Sequence, residues 1–143
     1  MSRVLVIDDD AVIRQLLREL LTREGHDGVV CADGRDAADI WRERAFDLIV
    51  TDIFMPEMDG LSVVMELART HPRPRVIAIS GGAPSGFASY LPAAERFGAD
   101  RTFGKPFDPG ELLAAVRELL ETGDDRPPPE ENIVESAPRK RLV

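Results

Sequence analysis

Lysine is nearly missing from this chain: 2 Lys stand against 16 Arg, and residues 1–121 contain only one, Lys105. Cysteine is just as scarce. Cys31 is alone, which excludes any intramolecular disulfide. Aromatic residues make up 6% of the chain, with Trp41 the sole tryptophan. No apolar run approaches the roughly 20 residues of a membrane span. The N-terminus enters a strand-like pattern directly, without a basic stretch and a cleavable apolar segment, so the expected location is the cytoplasm, without membrane insertion. Positive charge is short overall. The formal charge is −8, of which −7 falls in residues 1–121 and −1 in residues 122–143. That balance argues against direct nucleic-acid binding, which needs Lys and Arg to neutralise phosphates.

What is present is enough for one domain with a real core: 143 residues and a regular alternation of apolar runs and breakers. Residues 3–7 read as a buried strand, and 11–23 carry Val12, Ile13, Leu16, Leu17, Leu20 and Leu21 at helical spacing. Asp10 sits where an N-cap belongs and Gly25 where a helix stops. Strand 28–31, helix 35–44 and strand 46–52 follow. A turn is expected at 55–60 around Pro56, Asp59 and Gly60, then helix 61–69, strand 75–80 and a loop at 81–86. A fourth helix ends near Phe97 and starts late, because Pro92 suits a first turn. Strand 101–103 and a helix capped by Asp108 and running to 121 complete the pattern. Five strands alternate with five helices, and strands 1, 3 and 4 are almost continuously apolar. That points to a parallel sheet covered on both faces, every connection being a crossover. Residues 122–143 are rich in Pro and charge, and are read as a separate, flexible tail with too few apolar residues to fold alone.

Three carboxylates in a row, Asp8, Asp9 and Asp10, end the first strand, and like charges this close oppose one another. In an open parallel sheet, ligands bind at the carboxyl ends of the strands. Asp8 and Asp9 lie at that end of strand 1 and Asp52 at that end of strand 3, so neighbouring strands bring them together. Clustered carboxylates suit a hard cation, and Mg²⁺ binds through a few of them plus water and phosphate oxygens. Ser80 ends strand 4 and Lys105 follows strand 5, on the same edge. A hydroxyl and an ammonium there can hold phosphoryl oxygens while the Asp52 carboxylate acts as nucleophile. Each residue alone has an ordinary explanation: Asp8 and Asp9 as helix caps, Asp52 and Lys105-Pro106 as turn residues, Ser80 as loop chemistry. The convergence of five on one edge tips the balance. His26 and His71 read as solvated, Trp41 and Phe46 as packing, Met55 and Met58 as loop packing, and Cys31 as a small buried hydrophobe.

The segments "VLVIDDD", "DLIVTDIFMPEMDG", "VIAISGG" and "GADRTFGKPF" occur in this order. Together they resemble the receiver domain of a response regulator in two-component signalling, of the chemotaxis-regulator kind, over residues 3 to about 121. The resemblance implies a flavodoxin-like doubly wound α/β fold with strand order 2-1-3-4-5. It implies Asp52 as phosphoacceptor, Asp8 and Asp9 as the acidic pair, Ser80 as switch hydroxyl and Lys105 as phosphoryl contact. It further implies the Phe54 backbone carbonyl as a metal ligand with Asp8, Asp9 and Asp52, Mg²⁺ as cofactor, and an often-cis peptide bond before Pro106. A histidine kinase or histidine phosphotransfer protein would be the donor, and a downstream protein the target. Asp108 and the helix after it would complete the docking face. The expected protein is a stand-alone regulator, not an enzyme acting on a separate substrate. Two alternatives stay open: a phosphatase of haloacid-dehalogenase type, which also forms an aspartyl phosphate, and a receiver-like scaffold that is not phosphorylated.

The sequence departs from that family in places. Three residues before Lys105, where Tyr or Phe is usual, stands Thr102. Phe103 is adjacent, but neighbouring strand residues point to opposite faces, so it cannot stand in. The stretch between Ser80 and Gly98 is longer than usual and holds Gly81, Gly82 and Gly86, which suggests that loop ordering replaces aromatic rotation as the response. Phe54 and Gly82, two past Asp52 and Ser80, offer no polar side chain to position water, so rapid self-dephosphorylation through them is not expected.

Overall fold

The computed structural model describes residues 2–55, 58–81 and 90–121. In chain order its elements are β1 (Arg3–Ile7), α1 (Ala11–Arg23), β2 (Asp27–Cys31), α2 (Gly34–Glu43), β3 (Leu48–Asp52), β4 (Phe54–Met55), β5 (Met58–Asp59), α3 (Gly60–Ala68), β6 (Arg75–Gly81), α4 (Tyr90–Phe97), β7 (Arg101–Lys105) and α5 (Pro109–Glu121). Five parallel strands form one sheet in the order β2-β1-β3-β6-β7. Counting the sheet strands alone, this is the expected order 2-1-3-4-5 of a flavodoxin-like fold.

The apolar runs explain the layering. Successive strand residues face opposite sides, so each central strand feeds two cores. Leu5, Ile7, Ile49, Val76 and Ala78 join Trp41 of α2, Val63 and Leu67 of α3 and Ala94 of α4 on one face. Val4, Val6, Leu48, Val50, Ile77 and Ile79 meet Leu17 and Leu21 of α1 and Leu112 and Val116 of α5 on the other. Polar caps set where the helices start. Asp10 is extended and its carboxylate accepts from the Val12 amide at 2.9 Å. Asp33 accepts from Arg35 at 2.7 Å and Asp108 from Glu111 at 3.0 Å. Each such cap is worth about 1 kcal/mol. Asp33 also explains why α2 starts at Gly34, one residue before the expected 35.

Three expectations need correction. Every connection within the five-stranded sheet is a crossover, as expected, but in the passage from β3 to α3 the strands β4 and β5 pair antiparallel, Phe54 opposite Asp59 and Met55 opposite Met58. The turn expected at 55–60 is therefore partly a short hairpin, and α3 begins at Gly60 itself. A Cβ on Gly60 would collide with the Ile53 backbone, and the Gly60 amide donates to the Ile53 carbonyl at 2.9 Å. Only glycine lets α3 start against the strand in this way. Finally, β7 runs on to Lys105 instead of stopping at 103, because Ser80 and Gly81 extend the ladder by pairing with Gly104 and Lys105. Gly98, at φ +128°, closes α4, where a side chain would meet the Ala68 Cβ at 2.7 Å. Pro92 does fall in the first turn of α4. The predicted loop around Gly82 and Gly86, Pro56 of the turn and the tail 122–143 lie outside the described residues.

Candidate functional site

The acids gather at the carboxyl edge of the sheet. Carboxylate oxygens of Asp8, Asp9 and Asp52 all lie within 4.8 Å of one another. Asp8 is 1% and Asp52 4% exposed, whereas Asp9 is exposed. β1 and β3 are direct neighbours, which is what brings residues 44 positions apart in sequence into one cluster. Asp8 is held from several sides. Its amide donates to the Cys31 carbonyl at 3.1 Å, its Oδ1 accepts from the Asp10 amide at 2.9 Å, and its carbonyl accepts from Arg14 Nη1 at 2.8 Å. Asp52 ends β3 opposite Ile79, whose carbonyl accepts from the Ile53 amide at 2.8 Å.

Lys105 enters from β7. Its Nζ lies 2.9 Å from Asp8 Oδ2 and 3.2 Å from Asp52 Oδ2. Burial alone would pull this ammonium below the usual lysine value, but the Asp8 and Asp52 carboxylates outweigh it and hold it above. A compact ammonium fits between two oxygens where a planar guanidinium would need a wider fork. The contact to Asp52 is a hydrogen bond. The contact to Asp8 is an ion pair with a buried carboxylate oxygen. Ser80, 5% exposed, sits one strand over from Asp52, in register with Gly104 beside Lys105. Phe54 lies in β4, two residues beyond Asp52 on the same edge. The Lys105–Pro106 peptide is cis.

All five side chains expected at the site are therefore on one edge, and four of them form a contiguous cluster. Three carboxylates against one ammonium leave an excess of negative charge in a largely dry place. The donor set is all hard oxygen, so this acidic pocket can bind a metal cation. Arg14 is the site residue that sequence reasoning missed. It lies six positions after Asp8, on the second turn of α1, and no motif marks it.

The departures are also visible. Thr102 pairs with Ala78 and faces α4, where its hydroxyl donates to Glu95 Oε2 at 3.2 Å. Phe103 packs with the α1–α5 core on the opposite face. It cannot take the place of an aromatic at 102, as alternation required. His71 is exposed, while His26 is half-buried and its Nδ1 accepts from the Ser2 amide at 3.3 Å. Cys31 is buried with its thiol donating to the Asp33 carbonyl at 3.2 Å, and burial pushes the thiol up.

The family model for the response regulator receiver domain matches residues 4–117. The chain belongs to the response regulator receiver domain family. This receiver is 40% identical over 123 residues to the sensor kinase CckA of Brucella abortus, covering 85% of this chain and 13% of that protein. It is 33% identical over 120 residues to the transcriptional regulatory protein CpxR of Escherichia coli, covering 84% of this chain. The receiver spans 50% of the length of CpxR. Among solved structures it resembles the receiver domain of NtrX from Brucella abortus, with TM-score 0.76 and 33% identity over 84% of this chain and 99% of that one. Among the described residues no helix is long and apolar enough to cross a membrane.

Proposed function

We propose that Asp52 accepts a phosphoryl group from a phosphohistidine of a histidine kinase or histidine phosphotransfer protein, and that residues 1–121 are the unit that does so, the tail 122–143 being separate. The observation that carries this reading is the placement of the Lys105 ammonium between two buried carboxylates beside a third. A carboxylate oxygen of Asp52 attacks phosphorus. The phosphorus–nitrogen bond breaks, its electron pair stays on the imidazole nitrogen, and that nitrogen takes a proton from solvent. Lys105 then turns from its carboxylate partners to neutralise the phosphoryl oxygens, and the Ser80 hydroxyl donates to one of them. Asp8, Asp9, Asp52 and the Phe54 carbonyl would hold Mg²⁺, which when bound supplies positive charge to the phosphoryl oxygens and relieves the repulsion among the acids.

On this reading the receiver turns over no separate substrate. It acts in the cytoplasm, as expected from its sequence, and signals by protein contact, without direct nucleic-acid contact by its acidic surface. Incubation with acetyl phosphate and Mg²⁺, followed by intact-protein mass measurement, tests it. The wild type should gain one phosphoryl group and Asp52→Asn none. Normal labelling of the Asn variant would overturn the assignment of Asp52. Sustained hydrolysis of many phosphoesters would instead point to the phosphatase reading.

A further inference from the structure

At the opposite edge of the sheet lies a hollow of about 200 Å³ that the phosphoryl chemistry does not use. Its floor is apolar and buried: Trp41, Phe46, Ile49 and Leu67. Its rim carries Arg42, Glu43, Arg44 and the exposed His71 and Pro72. Arg42 is paired with Glu66 at 2.8 Å. Arg44 lies 5.8 Å above the Phe46 ring. The volume is below the roughly 300 Å³ at which small-molecule sites begin, and suits one or two aliphatic side chains.

We propose that this hollow receives residues 130–135 of the chain's own C-terminal segment, with Ile133 and Val134 on the aromatic floor and Glu130, Glu131 and Glu135 towards the arginine rim. Three observations support this occupant. The first is where the segment starts. Arg117 of α5 holds Glu24, just past the end of α1, at 2.7 Å, and Glu118 meets Arg101 at the start of β7 at 3.0 Å. The last turn of α5 therefore lies at the amino-terminal edge of the sheet. The hollow lies at that edge too, among the residues that precede β3 and β6. The second is reach. Eleven residues separate Glu121 from Ile133, an extended span of about 40 Å. A domain of this size has a radius of gyration of only about 14 Å. The third is complementarity. Within residues 122–143, "EENIVE" combines a β-branched pair with flanking carboxylates, while the hollow combines an apolar floor with the Arg44 guanidinium, Arg42 being paired with Glu66 and Glu43 lying between them on the rim.

Trp41 supplies the readout, because the full chain has a single indole N–H signal. Nitrogen-15 spectra of the full chain are compared with those of the full-length double variant Ile133→Asp/Val134→Asp, at two protein concentrations. Expected in the wild type is a rigid-backbone heteronuclear relaxation signature at 131–135, reduced at least twofold in the variant. The Trp41 indole and the amides of 42–46, 70 and 71 should shift, while those around Arg14 stay in place. Arg44→Glu should produce the same loosening of 131–135 without altering the tail. An unmoved Trp41 indole, or equal mobility of 131–135 in both proteins, overturns the proposal. Shifts that grow with protein concentration assign the occupant to the tail of a second copy, which overturns the intrachain form.

Discussion

Lys105→Met deletes one positive charge and keeps most of the stem. In the native protein that charge stands 2.9 Å from Asp8 and 3.2 Å from Asp52. At an effective dielectric near 20, each contact is worth roughly 5 kcal/mol before desolvation is counted. The Lys105 side chain is 19% exposed, so the cost of drying the ammonium offsets much of this. Breaking a buried pair typically costs 3–5 kcal/mol, and with partial solvent access we expect about 3 kcal/mol. For a domain of this length that is a fall of roughly 10–15 °C in Tm. The loss should depend on divalent cation. Without the ammonium, the three carboxylates bind Mg²⁺ more tightly, and since both proteins gain from the ion, a hundredfold tighter Kd in the variant narrows the gap by about 2.7 kcal/mol. Thermal unfolding followed by circular dichroism should show a wide gap between the variants in EDTA and less than half of it in saturating Mg²⁺. Equal Tm values in EDTA would show that Lys105 is not the counter-ion of the buried acids. Tm values of both proteins untouched by Mg²⁺ would show that the acids do not form a cation site.

Gly60→Ala forces a methyl against the Ile53 backbone, and should cost about 3 kcal/mol or more in urea unfolding. The Glu24 carboxyl is held below its ordinary value chiefly by the hydrogen bond from Arg117. Its contribution to stability is therefore present above the unfolded value and lost as pH falls through the lowered one. Carbon-13 titration should find the Glu24 midpoint below 4.5, moving up in Arg117→Gln. Cys31, buried and with its thiol pushed up, should react with iodoacetamide at pH 8 roughly tenfold or more slowly in the native protein than in denaturant.

Much of this architecture was legible because its signals are local and repeated. Asp10 and Asp108 cap where a short polar acceptor before an apolar period must cap, and the continuous apolar character of β1, β3 and β6 declares strands covered on both sides. The acidic cluster was legible for a topological reason: once β1 and β3 are neighbours, Asp8 and Asp52 have nowhere else to go. The hairpin of β4 and β5 was not legible, because two-residue strands carry no period. Arg14 was hidden because an arginine on a solvent-side helical turn looks the same whether it reaches a carbonyl or water. The Thr102–Glu95 bond was hidden for a related reason. Alternation assigns Thr102 to the α4 face, but the partner depends on the angle at which α4 lies across β7, which no local pattern encodes.

The direction of α5 has one more consequence. Its first residue follows the strand end that carries Lys105, and its last lies a strand's length away, about 17 Å for five residues. Whatever a relative attaches beyond that helix is joined at the pole remote from the acids. The match takes in half of CpxR and about an eighth of CckA, and chain joined at that pole leaves the pocket edge uncovered.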